Sequence, residues 1–243
     1  MANLQPADYI TVTMARNIQD GERVFHGVAS PMPAVAVQLA KQLHAKQAVY
    51  LNIPGGVDAI PEHYSLYSTA DAGLKEKEVA EFALADIFDL SARGALDVAF
   101  LSGAQIDGYG RLNLSAIGPF DKPKVRLPGG AGSAVLLPTV KRGILWKTAH
   151  DKRSLVDKLE VVTASGNTDL VITPLCIFKK SSTDGKLRLY TIFPGHTEDE
   201  IIENTGFKVE KHPEYETFSP ITEEEMSLLE EIDPDGLRYT EFK

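Results

Sequence analysis

The residues best placed to do chemistry lie in two glycine-rich segments, 102–113 and 124–134. The first reads SGAQIDGYGRLN, the second reads KVRLPGGAGSA, and an apolar run at 98–101 leads into the first. Glycine costs backbone entropy, so this density indicates positive φ angles or the close approach of another group to the backbone. Two interpretations follow: a pair of tight β-turns, or a ligand-facing loop at the carboxyl end of a parallel strand.

Three polar side chains in the first segment could face a ligand: Gln105, Asp107 and Asn113. An extended stretch between two glycine turns would direct such groups into a cleft. The alternative is that Asp107 and Asn113 hydrogen-bond to their own turns, which Asp and Asn do readily.

Other kinds of site have less support in the sequence. Ser30 precedes Pro31 and is better explained as a helix cap than as a nucleophile. No serine lies in a glycine-flanked elbow, and residues 129–133 lack the lysine of a P-loop. The six histidines, at positions 26, 44, 63, 150, 196 and 212, show no helical ligand spacing, so no metal site is expected.

Alternating helix and strand patterns would position these groups. Helices are predicted over 6–19, 31–44 and 76–92, and strands over 23–29, 48–51 and 98–101. This order is typical of an α/β fold with an open, mainly parallel sheet flanked by helices. In such sheets ligands bind beyond the carboxyl ends of the strands, here residues 29–30, 52–56 and 102–105.

The second half of the chain is predicted to be richer in strands. The expected strands are 143–146, 159–163, 170–178 and 187–193, and the last pairs with 176–180 across the turn at 183–186. Capping boxes that begin at Thr197 and Thr222 predict two short helices. Because no linker is evident, we expect one domain over 1–243 with an acidic, helical carboxy-terminal appendage at 197–243.

Charge is unevenly distributed along the chain. The net charge is −9, and residues 197–243 alone carry 15 acidic and 4 basic side chains. An acidic balance disfavours nucleic acid as a partner. Eight basic residues between 121 and 153 are compatible with a phosphorylated ligand, with a sugar-phosphate site as a weaker alternative, or with a solvated edge.

The single cysteine, Cys176, lies in an apolar run and is best explained as a small core residue. One cysteine allows no internal disulfide, which favours a reducing compartment. We find no signal pattern and no apolar run of membrane-spanning length, so a soluble, cytoplasmic protein with no membrane contact is expected.

The glycine-rich segments also carry a family resemblance. The pattern FLSGAQIDxYGxLN at 100–113, Ile117-Gly118, PKVR at 123–126 and GGAGSA at 129–134 closely resembles the β subunit of family I CoA-transferases of the glutaconate CoA-transferase type. Stretches 27–45, 190–207 and 230–234 are similar to further parts of that subunit. The resemblance therefore covers most of the chain in order.

This resemblance implies the CoA-transferase fold, an acyl-CoA substrate, no metal, and an obligate α subunit in an α/β heterodimer or α2β2 assembly. In such enzymes a β-subunit glutamate attacks the thioester and forms an anhydride, then a glutamyl-CoA thioester. Supporting catalytic roles fall to Asn52 and Gln105. Substrate or CoA binding falls to Gly55, Gly56, Gly103, Ala104, Asp107, Asn113, Gly129, Gly130, Ala131, Gly132 and Ser133.

The sequence departs from the family at the nucleophile. The glutamate belongs five residues before the aspartate that aligns with Asp58, and Ile53 stands there. Glu62 is the nearest downstream carboxylate, but it lies beyond the expected position. The missing nucleophile resembles superfamily members that hydrolyse ring-containing acyl-CoAs with C–C cleavage, using a carboxylate of the α subunit, and others that decarboxylate an acyl-CoA.

The sequence therefore favours acyl-CoA hydrolysis or ring C–C cleavage. CoA transfer between carboxylic acids and a non-catalytic scaffold subunit are the alternatives.

Overall fold

Two units make up the chain in the computed structural model, which describes residues 4–28, 30–61 and 71–242. Unit 1 comprises the described residues of 1–100, 139–141 and 220–243, and unit 2 comprises 101–138 and 142–219. The predicted division into one domain with an acidic appendage stays a prediction. Residues 197–219 belong to unit 2, whereas residues 220–242 belong to unit 1.

Unit 1 is built around parallel strands. Its strands are β1 (Arg23–His26), β2 (Val49–Leu51), β3 (Gly56–Val57), β4 (Ala80–Glu81) and β5 (Val98–Leu101). Their order is β5-β1-β2-β3-β4, in which β5, β1 and β2 are parallel and the short β3 and β4 are antiparallel additions. Its helices are α1 (Pro6–Arg16), α2 (Pro31–Leu43), α3 (Leu84–Ala92) and α6 (Glu223–Ile232).

The core of unit 1 is formed by its apolar strands and by α2. Every residue of β5 is buried, as are most of the side chains of α2. Pro31 opens α2 because its fixed φ suits the first helical turn and the missing N–H costs nothing there. Ser30 occupies the N-cap position, but its hydroxyl donates to the Val28 carbonyl at 3.0 Å. The Met32 N–H is satisfied instead by the Glu241 carboxylate, at 2.9 Å.

Unit 2 contains three sets of strands. The strands are β6 (Gln105–Asp107), β7 (Leu112–Asn113), β8 (Ala116–Ile117), β9 (Val125–Arg126), β10 (Arg142–Trp146), β11 (Leu155–Val156), β12 (Thr168–Ile172), β13 (Cys176–Lys180) and β14 (Leu187–Ile192). The first set has the order β14-β13-β12-β10, with β10 and β12 parallel and the other pairs antiparallel. The second set is β11-β6-β7, and the third is the hairpin β8-β9. The helices are α4 (Ser133–Thr139) and α5 (Glu198–Asn204).

The predicted fold class is confirmed: the protein is α/β, with a mainly parallel central sheet flanked by helices. The expected pairing of 187–193 with 176–180 is confirmed by the β13–β14 hairpin. Both capped helices are present, with the hydroxyls of Thr197 and Thr222 accepting the N–H groups of Glu200 and Glu225. In the described part of the chain, no helix has the length and apolar character needed to span a bilayer.

The helix predicted at 76–92 is wrong in its first half. It begins at Leu84, because residues 80–81 pair with β3 and form β4. Val79 lies within the span predicted to be helical, and it is 74% exposed. A helical apolar pattern could not reveal this pairing, since the partner backbone lies more than 20 residues away along the chain.

Two strand predictions in unit 2 also need correction. Residues 159–163 form no strand; next to them, Ala164 makes only an isolated bridge to Leu112. The run 170–178 is two antiparallel strands, β12 and β13, rather than one. Pro174 interrupts it, because proline has no N–H to give to a sheet, and the Thr173 hydroxyl accepts the Cys176 N–H in the resulting turn.

The carboxy-terminal residues of unit 1 are tied to α1 by buried charges. The Arg238 side chain is 4% exposed and pairs with the carboxylates of Asp8 and Asp233, at 2.8 Å each. Glu225 on α6 pairs with Arg16 at 2.7 Å. These contacts account for part of the acidic charge at the end of the chain.

Candidate functional site

The turn after β2 is closed by the side chain of Asn52. Its Oδ1 accepts the Gly56 N–H at 2.7 Å, its Nδ2 donates to the Leu74 carbonyl at 2.7 Å, and the residue is only 2% exposed. Gly55 has a φ of +99°, and a Cβ there would lie 2.2 Å from the Phe82 carbonyl oxygen. The glycine and the asparagine are therefore required by the shape of this turn.

This turn offers no free carboxylate among its described residues. Ile53 is partly exposed at the predicted nucleophile position. The nearest carboxylate along the chain is that of Asp58, whose Oδ1 pairs with the Lys41 ammonium at 2.6 Å and accepts the Tyr50 N–H at 2.8 Å. Asp58 is therefore held in structural contacts. Glu62, the other carboxylate considered for this role, lies outside the described residues.

A buried histidine lies beside this turn, at the carboxyl end of β1. The Nδ1 of His26 is 2.9 Å from the Gly27 carbonyl, and its Nε2 is 2.6 Å from the Tyr50 hydroxyl. Because a carbonyl only accepts, we assign the proton to Nδ1, and the tyrosine then donates to Nε2. Burial lowers the pKa of His26 from its usual 6.5 to about 4, so the ring is neutral at pH 7.

In unit 2 the first glycine-rich segment is a tight hairpin, β6–β7. The Asp107 carboxylate closes it: Oδ1 accepts the N–H groups of Tyr109 and Arg111, and Oδ2 accepts the Arg111 Nε–H at 2.7 Å. Asp107 is fully buried. In the structure, Asp107 therefore hydrogen-bonds to its own turn, which is the alternative to facing a ligand.

Asn113 and Gln105 face each other across the same hairpin. The Asn113 Nδ2 donates to the Gln105 Oε1 at 2.9 Å and to the Ala116 carbonyl at 2.6 Å, and its Oδ1 accepts the Ser115 N–H. The Gln105 Nε2 donates to the Arg153 carbonyl at 3.2 Å. Asn113 is buried whereas Gln105 is partly exposed, so Gln105 is the more accessible of the two.

The two glycine-rich segments lie together, and Thr163 joins them. Its Oγ1 accepts the Leu114 N–H at 2.9 Å and lies 2.7 Å from the Ser115 Oγ. The Gly129 N–H donates to the Leu114 carbonyl, and a Cβ on Gly130 would lie 2.8 Å from the Thr163 Cγ2. The second segment could not approach this closely with a larger residue at position 130.

The segment 129–132 is accessible, and its backbone is bent. Gly129 has a φ of +101° and Ala131 has a φ of +42°, so two residues adopt the left-handed region. Ser133 is buried at the start of α4. Ala131 is exposed and its neighbours at 129, 130 and 132 are partly exposed, and successive N–H groups in such a bent backbone form a concave surface that suits a negatively charged oxygen.

Lys147 was not predicted as a site residue, yet it contacts the glycine-rich hairpin directly. Its Nζ donates to the carbonyls of Gly103 and Ala104, at 2.6 and 3.2 Å. Burial lowers its pKa below the usual value, and the charge of Asp151 partly opposes this shift. The nearby Ser102 hydroxyl donates to the Trp146 carbonyl at 2.7 Å. Hydrogen bonds of Lys147 and of Ser102 thus connect the end of β10 to the first glycine-rich segment.

The predicted site residues thus form two groups. Asn52, Gly55 and Gly56 share one turn of unit 1, and the remaining predicted residues share the joined glycine-rich segments of unit 2. Their roles in binding or catalysis stay predictions. Sequence reasoning missed Lys147, although it counted this lysine in the basic stretch, and Thr163, which no sequence pattern indicates. In the described ranges, no three His, Cys, Asp or Glu side chains are grouped as metal ligands would be.

Comparisons with known proteins agree with the resemblance. A profile of the family described as Coenzyme A transferase matches residues 7–204. One subunit of the 3-oxoadipate CoA-transferase of Pseudomonas knackmussii is 29% identical over 93% of this chain and 92% of its own. The cholesterol ring-cleaving hydrolase IpdB subunit of Rhodococcus jostii is 28% identical over 64% of this chain and 66% of its own.

A solved structure gives a similar result. The crystal structure of the decarboxylase AibA/AibB contains a chain that superimposes with a TM-score of 0.89 at 32% identity, covering 98% of each chain. Proteins similar to this chain are therefore named as transferase, hydrolase and decarboxylase.

Proposed function

The chain belongs to the coenzyme A transferase family, and we propose that it is the β-type subunit of a heteromeric enzyme that hydrolyses an acyl-CoA or cleaves one of its C–C bonds. The observation that carries this proposal is the turn after β2, where Ile53 stands at the expected nucleophile position. CoA transfer through this chain requires a carboxylate there to attack the thioester and form an anhydride. An alkyl side chain cannot form that bond.

The other contacts in this turn support the same conclusion. The Asn52 amide is occupied on both sides by Gly56 and Leu74, and Asp58 is paired with Lys41. A nucleophile must be free to reach the thioester carbon, and a carboxylate in an ion pair of 2.6 Å is less nucleophilic than a free one. We therefore assign the catalytic acid or base to the α-type subunit.

The role left to this chain is to bind and orient the acyl-CoA. The loop 129–132 is partly exposed. The Gly129 N–H is bonded to the Leu114 carbonyl, so the N–H groups of residues 130–132 are the ones that can stabilise negative charge on a thioester oxygen. Gln105 is the more accessible of the two amide side chains in the adjoining hairpin, and the hydrogen bonds to Asn113 and Arg153 hold it in place. A fixed geometry of this kind lowers the barrier by reducing the reorganisation that the reaction needs.

Two observations support a partner subunit. The relatives are named as subunits, and AibA/AibB is named as a pair. Unit 2 also exposes apolar side chains on the β8–β9 hairpin: Phe120 is 61% exposed and Val125 is 49% exposed. Large exposed apolar groups in one hairpin are typical of a surface that another chain covers.

Decarboxylation of an acyl-CoA is a second candidate, because the AibA/AibB chain is 32% identical over almost the whole length. It too needs no nucleophile on this chain. CoA transfer is the alternative that the name of the 3-oxoadipate relative supports. A scaffold role has no observation of its own in its favour.

The test is product analysis with the purified heteromer. Co-expressed α- and β-type subunits are incubated with a panel of acyl-CoAs in water enriched in oxygen-18, with and without a carboxylic acid acceptor. We expect acyl-CoA consumption that does not depend on the acceptor, with oxygen-18 in the released acid or in the cleaved acyl product. Carbon dioxide release without that label would support decarboxylation instead. Acceptor-dependent formation of a new acyl-CoA would refute the proposal.

A further inference from the structure

Lys147 is an unusual lysine, because it is partly buried and its ammonium donates to two backbone carbonyls rather than to a carboxylate. Lysine is rarely buried without a carboxylate partner. Here the two close oxygens are the carbonyls of Gly103 and Ala104, and among the described residues no carboxylate oxygen is found within ion-pair distance of Nζ. Asp151 acts on it only at longer range. The close partners of this ammonium are therefore the hairpin carbonyls, while the charge of Asp151 opposes its desolvation from a longer distance.

The direction of these carbonyls fixes the direction of the N–H groups on the other side of the same peptides. A trans peptide is planar, and its C=O and N–H point in opposite directions. The peptide that joins Gly103 to Ala104 donates its N–H to the Asn113 carbonyl at 3.0 Å. The next peptide accepts from Lys147 through the Ala104 carbonyl, so the Gln105 N–H is turned away from the lysine.

The charge on Lys147 adds to this geometric effect. A hydrogen bond from a cation to a carbonyl is stronger than one from a neutral donor, and it polarises the peptide that accepts it. A polarised peptide is a better donor through its own N–H. The two peptides held by Lys147 are the ones that lead into β6, the strand that carries Gln105 and Asp107.

We propose that Lys147 is a positioning residue for the glycine-rich hairpin β6–β7: its ammonium holds the carbonyls of Gly103 and Ala104 and thereby orients and polarises the peptide between Ala104 and Gln105 for substrate turnover. This inference rests on the proposed function. It assigns to Lys147 an action through the backbone, without contact to the substrate.

The test compares four forms of the heteromer: wild type, Lys147→Met, Lys147→Gln and Lys147→Arg. Lys46→Met is the matched control, because Lys46 is an exposed lysine in the turn before β2. Each form is checked for assembly by size-exclusion chromatography. Acyl-CoA turnover then gives kcat and KM, and hydrogen exchange is measured for the peptide that spans 102–107.

We expect Lys147→Met to lower kcat by about 10- to 100-fold and to change KM by less than about 3-fold, since the residue acts on orientation rather than on binding. Lys147→Arg should recover most of the loss because it keeps the charge, whereas Lys147→Gln should not. Exchange in 102–107 should rise in the Met form, and the Lys46→Met form should match wild type.

An assembled Lys147→Met form with the kcat of wild type would overturn the proposal. Equal recovery by Gln and Arg would overturn the role of the charge. If Lys147→Met fails to assemble, the Arg and Gln forms are compared with wild type, and equal kcat values in these two forms would overturn the role of the charge. Unchanged exchange in 102–107 would overturn the positioning claim even if the heteromer turned over no acyl-CoA, an outcome that would refute the proposed function separately.

Discussion

The buried imidazole of His26 should make unit 1 sensitive to acid. Its pKa is about 4 in the folded protein and 6.5 in an exposed histidine. Between these values the unfolded chain binds a proton that the folded chain does not, so stability falls as the pH drops from about 6.5 towards 4. At 1.36 kcal/mol per pKa unit the full effect is about 3 kcal/mol, of which about 2 kcal/mol is lost between pH 8 and pH 5.

The hydrogen bonds explain why the neutral form is preferred. The Nε2 of His26 accepts from the Tyr50 hydroxyl, and a protonated imidazole has no lone pair left to accept. The variant His26→Gln keeps an uncharged donor and acceptor but removes the titration. We therefore expect the stability of this variant to change less with pH than that of wild type, by about 2 kcal/mol over the same range.

Hydrogen exchange of the heteromer measures this locally. The free energy of opening is determined for peptides that contain β1 and β2, at pH 8 and at pH 5, in wild type and in His26→Gln. The measurement at pH 8 is the control, because both forms are uncharged there and differ only in packing. An equal loss of protection in the two forms on acidification would refute the assignment of acid sensitivity to His26.

Three further outcomes follow from the structure. Asn52→Ala should lower the free energy of unfolding by about 1–3 kcal/mol, because the Gly56 N–H and the Leu74 carbonyl lose their partner. Thermal melting checks this, with Asn17→Ala, at a partly exposed asparagine, as the comparison. Arg238→Met should lower the free energy of unfolding by about 3–5 kcal/mol, since it leaves the carboxylates of Asp8 and Asp233 buried without their guanidinium partner. Urea unfolding measures this loss, and a value below about 1 kcal/mol would contradict a stabilising role for these ion pairs. Cys176 should not react with a thiol reagent until the protein unfolds, because burial raises the pKa of its thiol; labelling of the native chain at the unfolded rate would be the contrary result.

Much of the fold could be predicted because local signals and tertiary structure agree. Pro31 marks the start of α2, the capping boxes at Thr197 and Thr222 mark α5 and α6, and the run at 98–101 is β5. Each of these signals acts within a few residues of the element that it defines. The helix predicted over 76–92 failed because β4 is defined by its pairing with β3, which no local pattern encodes.

For the candidate site, the sequence shows which residue types are present but not which contacts they make. The glycines at 55 and 130 are explained by close approaches to Phe82 and Thr163, and the sequence shows only that glycine is present, not what approaches it. Lys147 could not be singled out, because one lysine in a basic stretch looks like the others until its contacts with the carbonyls of Gly103 and Ala104 are known. Asp107 looked like a candidate for ligand contact, and its buried contact with Arg111 is visible only in the folded hairpin.

The central claim is that this chain supplies no covalent nucleophile, and one measurement tests it most directly. The turning-over heteromer is quenched with hydroxylamine or borohydride in the presence of acyl-CoA, and the intact mass of this chain is determined. We predict the unmodified mass during full turnover. A hydroxamate, a reduced residue, or an acyl or CoA adduct on a glutamate or aspartate of this chain, mapped by peptide sequencing, would contradict the claim.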